Sequence, residues 1–370
     1  MKVGVVKEIK HYEFRIGLTP GNAHEYIANG HEVFVEAGAG LGSGLTDEDY
    51  IAAGAKILPS AKDVWDTVDM VVKVKEPLKA EYDLMREGQI VYTYLHLAAD
   101  KPLTEVLLKN KVKAVAYETI RDKAGALPLL KPMSEVAGKL SIQAGARCLE
   151  KSMGGRGVLL GGVPGVPRAN VVIIGGGAVG ISAMKMAIGL GAKVTLLDRS
   201  LERLTYIDDI FGQQVQTMYS TDYAIHQAVK EADLVVGAVL IPGAAAPKLI
   251  KRAYLKDMKP GSVIVDVAVD QGGCCETTKA TYHDDPTFVV DGVVHYCVAN
   301  MPGAVSQTST FALTNATLNY GVKIANLGLE AAAKSDHGLA LGINTYDGKL
   351  TCEEVAHDFG MEYTDINTLI

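Results

Sequence analysis

The strongest constraint on this chain is the point where an apolar run stops. A strand-like stretch at about 171–175 breaks at Gly175-Gly-Gly-Ala-Val-Gly180. Gly175, Gly177 and Gly180 fit G-x-G-x-x-G, a helix-like segment runs on to Gly191, and a second strand at 193–198 ends on Asp198. In that setting each glycine has a task. Gly175 permits the tight turn, Gly177 lets the backbone approach a pyrophosphate, and Gly180 allows close helix–strand packing. The helix start adds unpaired N–H groups and the positive end of a dipole. Asp198 follows the first glycine at about the 20-residue spacing where a carboxylate accepts from a ribose 2′-hydroxyl and repels a 2′-phosphate. The pattern predicts dinucleotide binding, with NAD preferred over NADP.

Around this motif, β-like and α-like segments alternate, as in parallel α/β sheets. Strands are expected at about 2–7, 31–36, 70–75, 89–95 and 113–118, then at 171–175, 193–198, 215–220, 233–240, 262–270 and 293–300. The expected fold class is α/β with two doubly wound domains. A long helix-like segment from Ser134 to about Glu150 presents Ala137, Gly138, Ser141 and Gly145 as a face of small side chains. A helix starting near Ser306 carries the chain back to its first part. A Rossmann domain at 131–305 is thus expected inside a discontinuous domain of 1–130 and 306–370. Pro20 opens a short helix that Gly30 closes. Thr351-Cys-Glu-Glu354 reads as a capping box for a last helix ended by Gly360.

At 370 residues two domains are natural. A net charge of −7 without a basic stripe excludes a nucleic-acid partner. There is no apolar run of about 18 residues to span a bilayer, and the strand-like start has no signal-peptide character. Five cysteines without C-x-x-C spacing predict reduced thiols and no metal site. The expectation is a soluble, cytoplasmic protein.

In open α/β sheets, ligands sit outside the carboxyl ends of the strands. In the second half those ends carry the glycine turn, Asp198, Ser220, Leu240, Asp270 and Asn300. In the first half, Arg15 lies in the loop after the first strand, strand 70–75 ends in Lys75, and strand 89–95 runs into His96. These groups are suited to holding a carboxylate and moving a proton. Residue type alone also allows plainer readings. Arg15 suits a surface arginine, Lys75 a solvated strand end, His96 a structural histidine, Asp270 a turn cap and Ser134 a helix N-cap.

Lys7-Glu8, Arg15-Ile-Gly-Leu-Thr-Pro20, Val74-Lys-Glu-Pro77, Tyr92-Thr-Tyr-Leu-His96 and Pro132-Met-Ser-Glu-Val-Ala-Gly138 carry a resemblance. The glycine turn, Asp266-Val-Ala-Val-Asp270 with Gln271-Gly-Gly273, and Val298-Ala-Asn-Met-Pro-Gly-Ala-Val305 continue it in order. Together they resemble the alanine dehydrogenase family over essentially the whole chain. The Arg15 loop and glycine turn are shared with the NAD-binding part of proton-translocating transhydrogenase, and saccharopine dehydrogenases are more distantly similar. Those are the alternatives.

The resemblance implies NAD-dependent oxidative deamination of L-alanine to pyruvate and ammonium, and the reverse reductive amination. It makes Arg15 and Lys75 the substrate contacts and His96 and Asp270 the acid–base pair. Whether Asp270 activates water or stabilises an iminium stays open. Cofactor contacts would fall on Ser134, Gly175, Gly177, Ala178, Val179, Gly180, Asp198, Arg203, Ser220, Val239 and Leu240. They would continue on Val267, Ala268, Val269, Asp270, Lys279, Val298, Ala299, Asn300 and Met301. Tyr94, Leu130, Met133 and Met301 are candidate walls of a methyl pocket. Small molecules would be the only partners, in a homohexamer.

Overall fold

The computed structural model describes residues 1–239 and 246–370. The chain divides into two compact units, residues 1–133 with 305–370, and residues 134–304. The first unit begins with β1 (Lys2–Val5), β2 (Glu32–Glu36), β3 (Lys56–Leu58), β4 (Met70–Val72), β5 (Ile90–Thr93) and β6 (Lys113–Ala116). The second holds β7 (Asn170–Ile174), β8 (Lys193–Asp198), β9 (Val215–Tyr219), β10 (Leu234–Gly237), β11 (Val263–Asp266), β12 (Thr287–Val290) and β13 (Val293–Tyr296). The chain then returns to the first sheet with β14 (Ile343–Tyr346) and β15 (Lys349–Leu350).

The first sheet runs β15-β14-β6-β5-β4-β1-β2-β3 and the second β12-β13-β11-β10-β7-β8-β9. Antiparallel pairing is confined to the β14–β15 end of one and the β12 edge of the other. Numbered by appearance, the parallel strands of each sheet follow the doubly wound order 3-2-1-4-5-6. The order reverses between β1 and β4 in the first unit and between β7 and β10 in the second. Those two positions are where such folds bind ligands. The central strands are buried on both faces, which is why β4 (Met-Val-Val) and β10 (Leu-Val-Val-Gly) read as unbroken apolar runs.

Several boundaries differ from expectation. The strands expected at 70–75, 89–95, 262–270 and 293–300 end at Val72, Thr93, Asp266 and Tyr296, because the chain leaves each ladder for a tight turn. β3, β12, β14 and β15 are too short or too marginal to give a periodic signal. The long helix spans Lys131–Cys148, so Ser134 lies inside its first turns and is not its N-cap. Pro132 is tolerated there because first-turn N–H groups need no intrahelical partner. Thr351 does not form the expected capping box. The N-cap of helix Glu353–Phe359 is Cys352, without a side-chain bond, and the Thr351 hydroxyl donates to Ile343 O at 2.7 Å. Gly360 does end that helix, at φ 64.

The small-residue face has a tertiary cause. A Cβ on Gly138 would stand 2.2 Å from Val179 O, and one on Gly145 2.6 Å from Leu234 Cδ1. The helix Lys131–Cys148 therefore lies close against the glycine-turn helix and β10. Among the described residues, no helix is long and apolar enough to cross a membrane.

Candidate active site

In the second unit the glycine turn shapes a cleft of about 400 Å³. Gly175 adopts φ 107, a left-handed conformation that favours glycine. A Cβ on Gly180 would fall 1.8 Å from Gly175 O, whereas one on Gly177 would meet nothing within 4 Å. Gly180 thus serves packing, and Gly177 keeps open the space a ligand needs. The helix Ala178–Gly189 begins with Gly177 as N-cap and no side-chain capping bond, so its first-turn N–H groups remain available to an anion. Asp198 braces the turn: its carboxylate accepts from Gly176 N at 2.6 Å and from Ser200 N at 2.8 Å. Of the expected cofactor residues, Ser134, Gly175, Gly177, Ala178, Val179, Asp198, Arg203 and Val239 line this cleft.

Gly180 lies in the first turn of the helix at this cleft, and the other described members of the set lie elsewhere in the same unit. Ser220 follows β9 and its amide donates to Asp198 O at 2.9 Å. Residues 267–270 form a 3₁₀ turn after β11, and residues 298–301 follow its neighbour β13. The two segments meet where Asn300 N donates to Asp270 Oδ2 at 3.5 Å. Asp270 is exposed and closes no strand; the buried strand-end carboxylate is Asp266. Lys279 is exposed, on a segment that pairs with residues 297–299 through Thr281. Leu240 lies outside the described residues.

The carboxyl edge of the first sheet is built from side-chain charges. Arg15 is only 2% exposed and is no surface arginine. Buried Glu13 accepts from its Nε at 2.6 Å and its Nη2 at 2.5 Å, a side-on pair that fixes the guanidinium plane. Arg15 Nη1 lies 3.1 Å from Met133 Sδ. Beneath the edge, the fully buried Lys73 bridges Glu8 at 3.1 Å and Glu81 at 3.0 Å. Glu8 also accepts the amides of Val74 at 2.6 Å and Lys75 at 3.3 Å, which sets where Lys75 leaves the strand. Among the described residues the Lys75 ammonium forms no ion pair. Burial, with Arg15 and Lys10 nearby, pushes its pKa below that of an ordinary lysine.

His96 occupies left-handed space at φ 50, ψ 37, which costs a non-glycine residue on the order of 1–3 kcal/mol. Glu118, just past β6, compensates by accepting from His96 N at 2.6 Å and Leu95 N at 3.0 Å. Charge-assisted bonds of this kind are worth about 1.5–3 kcal/mol each, enough to hold the turn. The imidazole stacks on Tyr94 at 5.9 Å, and the Tyr94 hydroxyl donates to Leu129 O at 2.5 Å. Although 45% of the side chain is exposed, the surrounding protein dehydrates the ring. Its pKa falls below the usual histidine value, Lys75 adding to the effect and Glu118 opposing it. Arg15 is within electrostatic reach of Lys75 and Tyr94, and Lys75 of His96. The edge can hold an anion and offers a neutral imidazole near pH 7. Glu8, Glu13 and Glu118 were missed in the sequence, although the strand-end rule would have found Glu118.

The chain matches two family models, "Alanine dehydrogenase/PNT, N-terminal domain" over residues 4–137 and "Alanine dehydrogenase/PNT, C-terminal domain" over residues 141–353. It is 56% identical to an alanine dehydrogenase from Methanococcus maripaludis, covering 98% of each chain. It is 55% identical to one from Halomonas elongata over 100% of both. A solved L-alanine dehydrogenase structure matches with a TM-score of 0.95 at 54% identity, covering 97% of this chain and 99% of that one. A transhydrogenase from Sinorhizobium meliloti, at 24% identity and a TM-score of 0.81 over 95% and 98%, shares the fold.

Proposed function

The chain belongs to the alanine dehydrogenase/PNT family, and we propose that it catalyses the NAD-dependent oxidative deamination of L-alanine to pyruvate and ammonium, with the reverse reductive amination. The observation that carries this reading is the gathering of Arg15, Lys75 and His96 at one sheet edge, in a chain whose relatives match end to end. NAD suits the second unit. The uncapped helix start would receive the pyrophosphate, Gly177 would leave it room, and Asp198 would accept from the ribose hydroxyls. When bound, NAD supplies the acceptor for the hydride leaving Cα.

The protein's own residues then have distinct tasks. Arg15, its plane held by Glu13, and Lys75 attract the substrate carboxylate. Fixing that group orients Cα, and orientation is where much of the rate is gained. Lys75 also stabilises oxygen developing at C2 as water adds to the iminium product. The substrate reacts as its neutral amine, whose lone pair forms the C=N bond. His96 then accepts a proton from the attacking water as the carbinolamine forms. It returns that proton to nitrogen as the C–N bond breaks, the hydroxyl proton leaving with the nitrogen as ammonium. Its lowered pKa keeps it a neutral base at pH 7. Asp270 completes the acid–base pair, and the second-strand-set contacts at 267–270 and 298–301 complete the cofactor site. Besides NAD, its partners in this reading are the small-molecule substrates L-alanine, pyruvate and ammonium, and the chain assembles as a homohexamer. An absorbance assay with NAD and a panel of L-alanine, L-serine, glycine and saccharopine tests it. NADH should form with L-alanine by a wide margin; no turnover of L-alanine would overturn it.

A further inference from the structure

The strand that leads to Asp270 ends on a second carboxylate with no task in the reaction above. Asp266, the last residue of β11, is fully buried. Its Oδ1 accepts from Ala268 N at 3.1 Å and the Cys274 thiol at 3.4 Å. Its Oδ2 accepts from Cys275 N at 3.1 Å and from the Thr278 hydroxyl. These donors come from both arms of the loop that bears Asp270. The chain leaves the sheet, turns through Gly272 and Gly273 at φ 87 and 78, and returns to the same charge. A Cβ on Gly273 would lie 2.6 Å from Asp266 Oδ2, so close wrapping requires glycine there. On the outer side, Lys248 Nζ donates to Gly272 O, to Gly273 O at 2.9 Å and to Cys275 O at 3.3 Å. Burial, with Asp266 alongside, pushes the Cys274 thiol well up, so it stays protonated and a donor. The adjacent cysteines therefore serve as hydrogen-bond donors in a loop clamp.

We propose that Asp266 is the positioning residue for Asp270: through Ala268, Cys274, Cys275 and Thr278 it sets the turn that fixes the Asp270 carboxylate for its acid–base task. This rests on the acid–base reading of Asp270. Anchoring both arms of a turn to one buried charge removes the backbone freedom that would let Asp270 drift, and small misplacements of a reacting group are costly.

Thr278 offers the discriminating test. Thr278→Val keeps the shape and removes the hydroxyl; Thr278→Ser keeps the hydroxyl and loses a packed methyl. Turnover at saturating NAD and L-alanine, together with the thermal midpoint, is measured for both and for Asp266→Asn. Loss of one charge-assisted bond should lower kcat about tenfold in Thr278→Val, with Thr278→Ser within about twofold of wild type and Asp266→Asn lower than either. Activity that follows thermal stability rather than the hydroxyl, or wild-type turnover in Thr278→Val, would overturn the proposal. Asp270→Asn separates the two readings. Full activity there overturns the acid–base assignment and the positioning role with it, while an inactive Asp270→Asn beside a fully active Thr278→Val overturns the positioning role alone.

Discussion

From β7 to its following helix the second unit uses residues 175–177; from β1 to helix Pro20–Ala28 the first uses residues 6–19. The short turn is glycine, and the helix it opens has no side-chain cap. The long loop brings Glu8, Glu13 and Arg15 to the strand edge, and its helix is capped reciprocally by Thr19 and Asn22. One topology thus gathers positive field at the same place in the fold by two different means. In the second unit, backbone N–H groups supply the positive field, and no charge has to be buried. In the first, side chains supply it, and burying them requires compensation. Arg15 has Glu13 and Lys73 has Glu8 and Glu81. Among the described residues Lys75 has no such ion pair, and burial with Arg15 and Lys10 nearby lowers its pKa. In the proposed reaction this less compensated cation is the one assigned to the substrate carboxylate.

Variants that affect one site and spare the other sharpen this contrast. Lys75→Ala should lower turnover by about a thousandfold, with NADH affinity unchanged in a fluorescence titration; weakened NADH binding would show the two sites are not separable. His96→Ala should cost on the order of a hundredfold or more in kcat, and a variant within twofold of wild type removes His96 from the reaction. Gly180→Ala should do the reverse. Its Cβ at 1.8 Å from Gly175 O forces the turn open, an overpacking strain of about 1–3 kcal/mol, and NADH should bind tenfold or more weakly. Asp198→Ala should relax discrimination against NADP by about tenfold; an unchanged NAD:NADP ratio in kcat/KM would remove it as the ribose acid. The smallest effect concerns pH. A base with a lowered pKa works until pH falls through that value, so kcat/KM for L-alanine should lose activity on the acid side with a midpoint below 6.5. A midpoint at or above 6.5 would mean His96 is not held as described.

The parts of this molecule legible in the sequence were those set by local chemistry. A left-handed turn at Gly175 and an unobstructed backbone at Gly177 are properties of residue type at short range. Strand-end position likewise flagged Arg15, Lys75 and His96 before any coordinates. Less was legible where a residue's surroundings come from distant chain. Asp270 read as a strand end because the apolar run continues past Asp266, yet Asp266 leaves the ladder to collect donors from residues 268–278. Ser134 read as a cap because Pro132 precedes it, and the helix nonetheless begins at Lys131.

Composition and spacing by themselves determined the α/β class, the glycine turn and the identity of the cations at the first sheet's edge, because each depends on what a few neighbouring residues can adopt. Tertiary structure decided which carboxylate stabilises which group: Glu8 beside Lys73, Glu118 under the His96 turn 22 residues away, Asp266 inside its own loop. A buried charge takes its energy from whatever lies within a few ångströms, and only the folded chain brings those groups together.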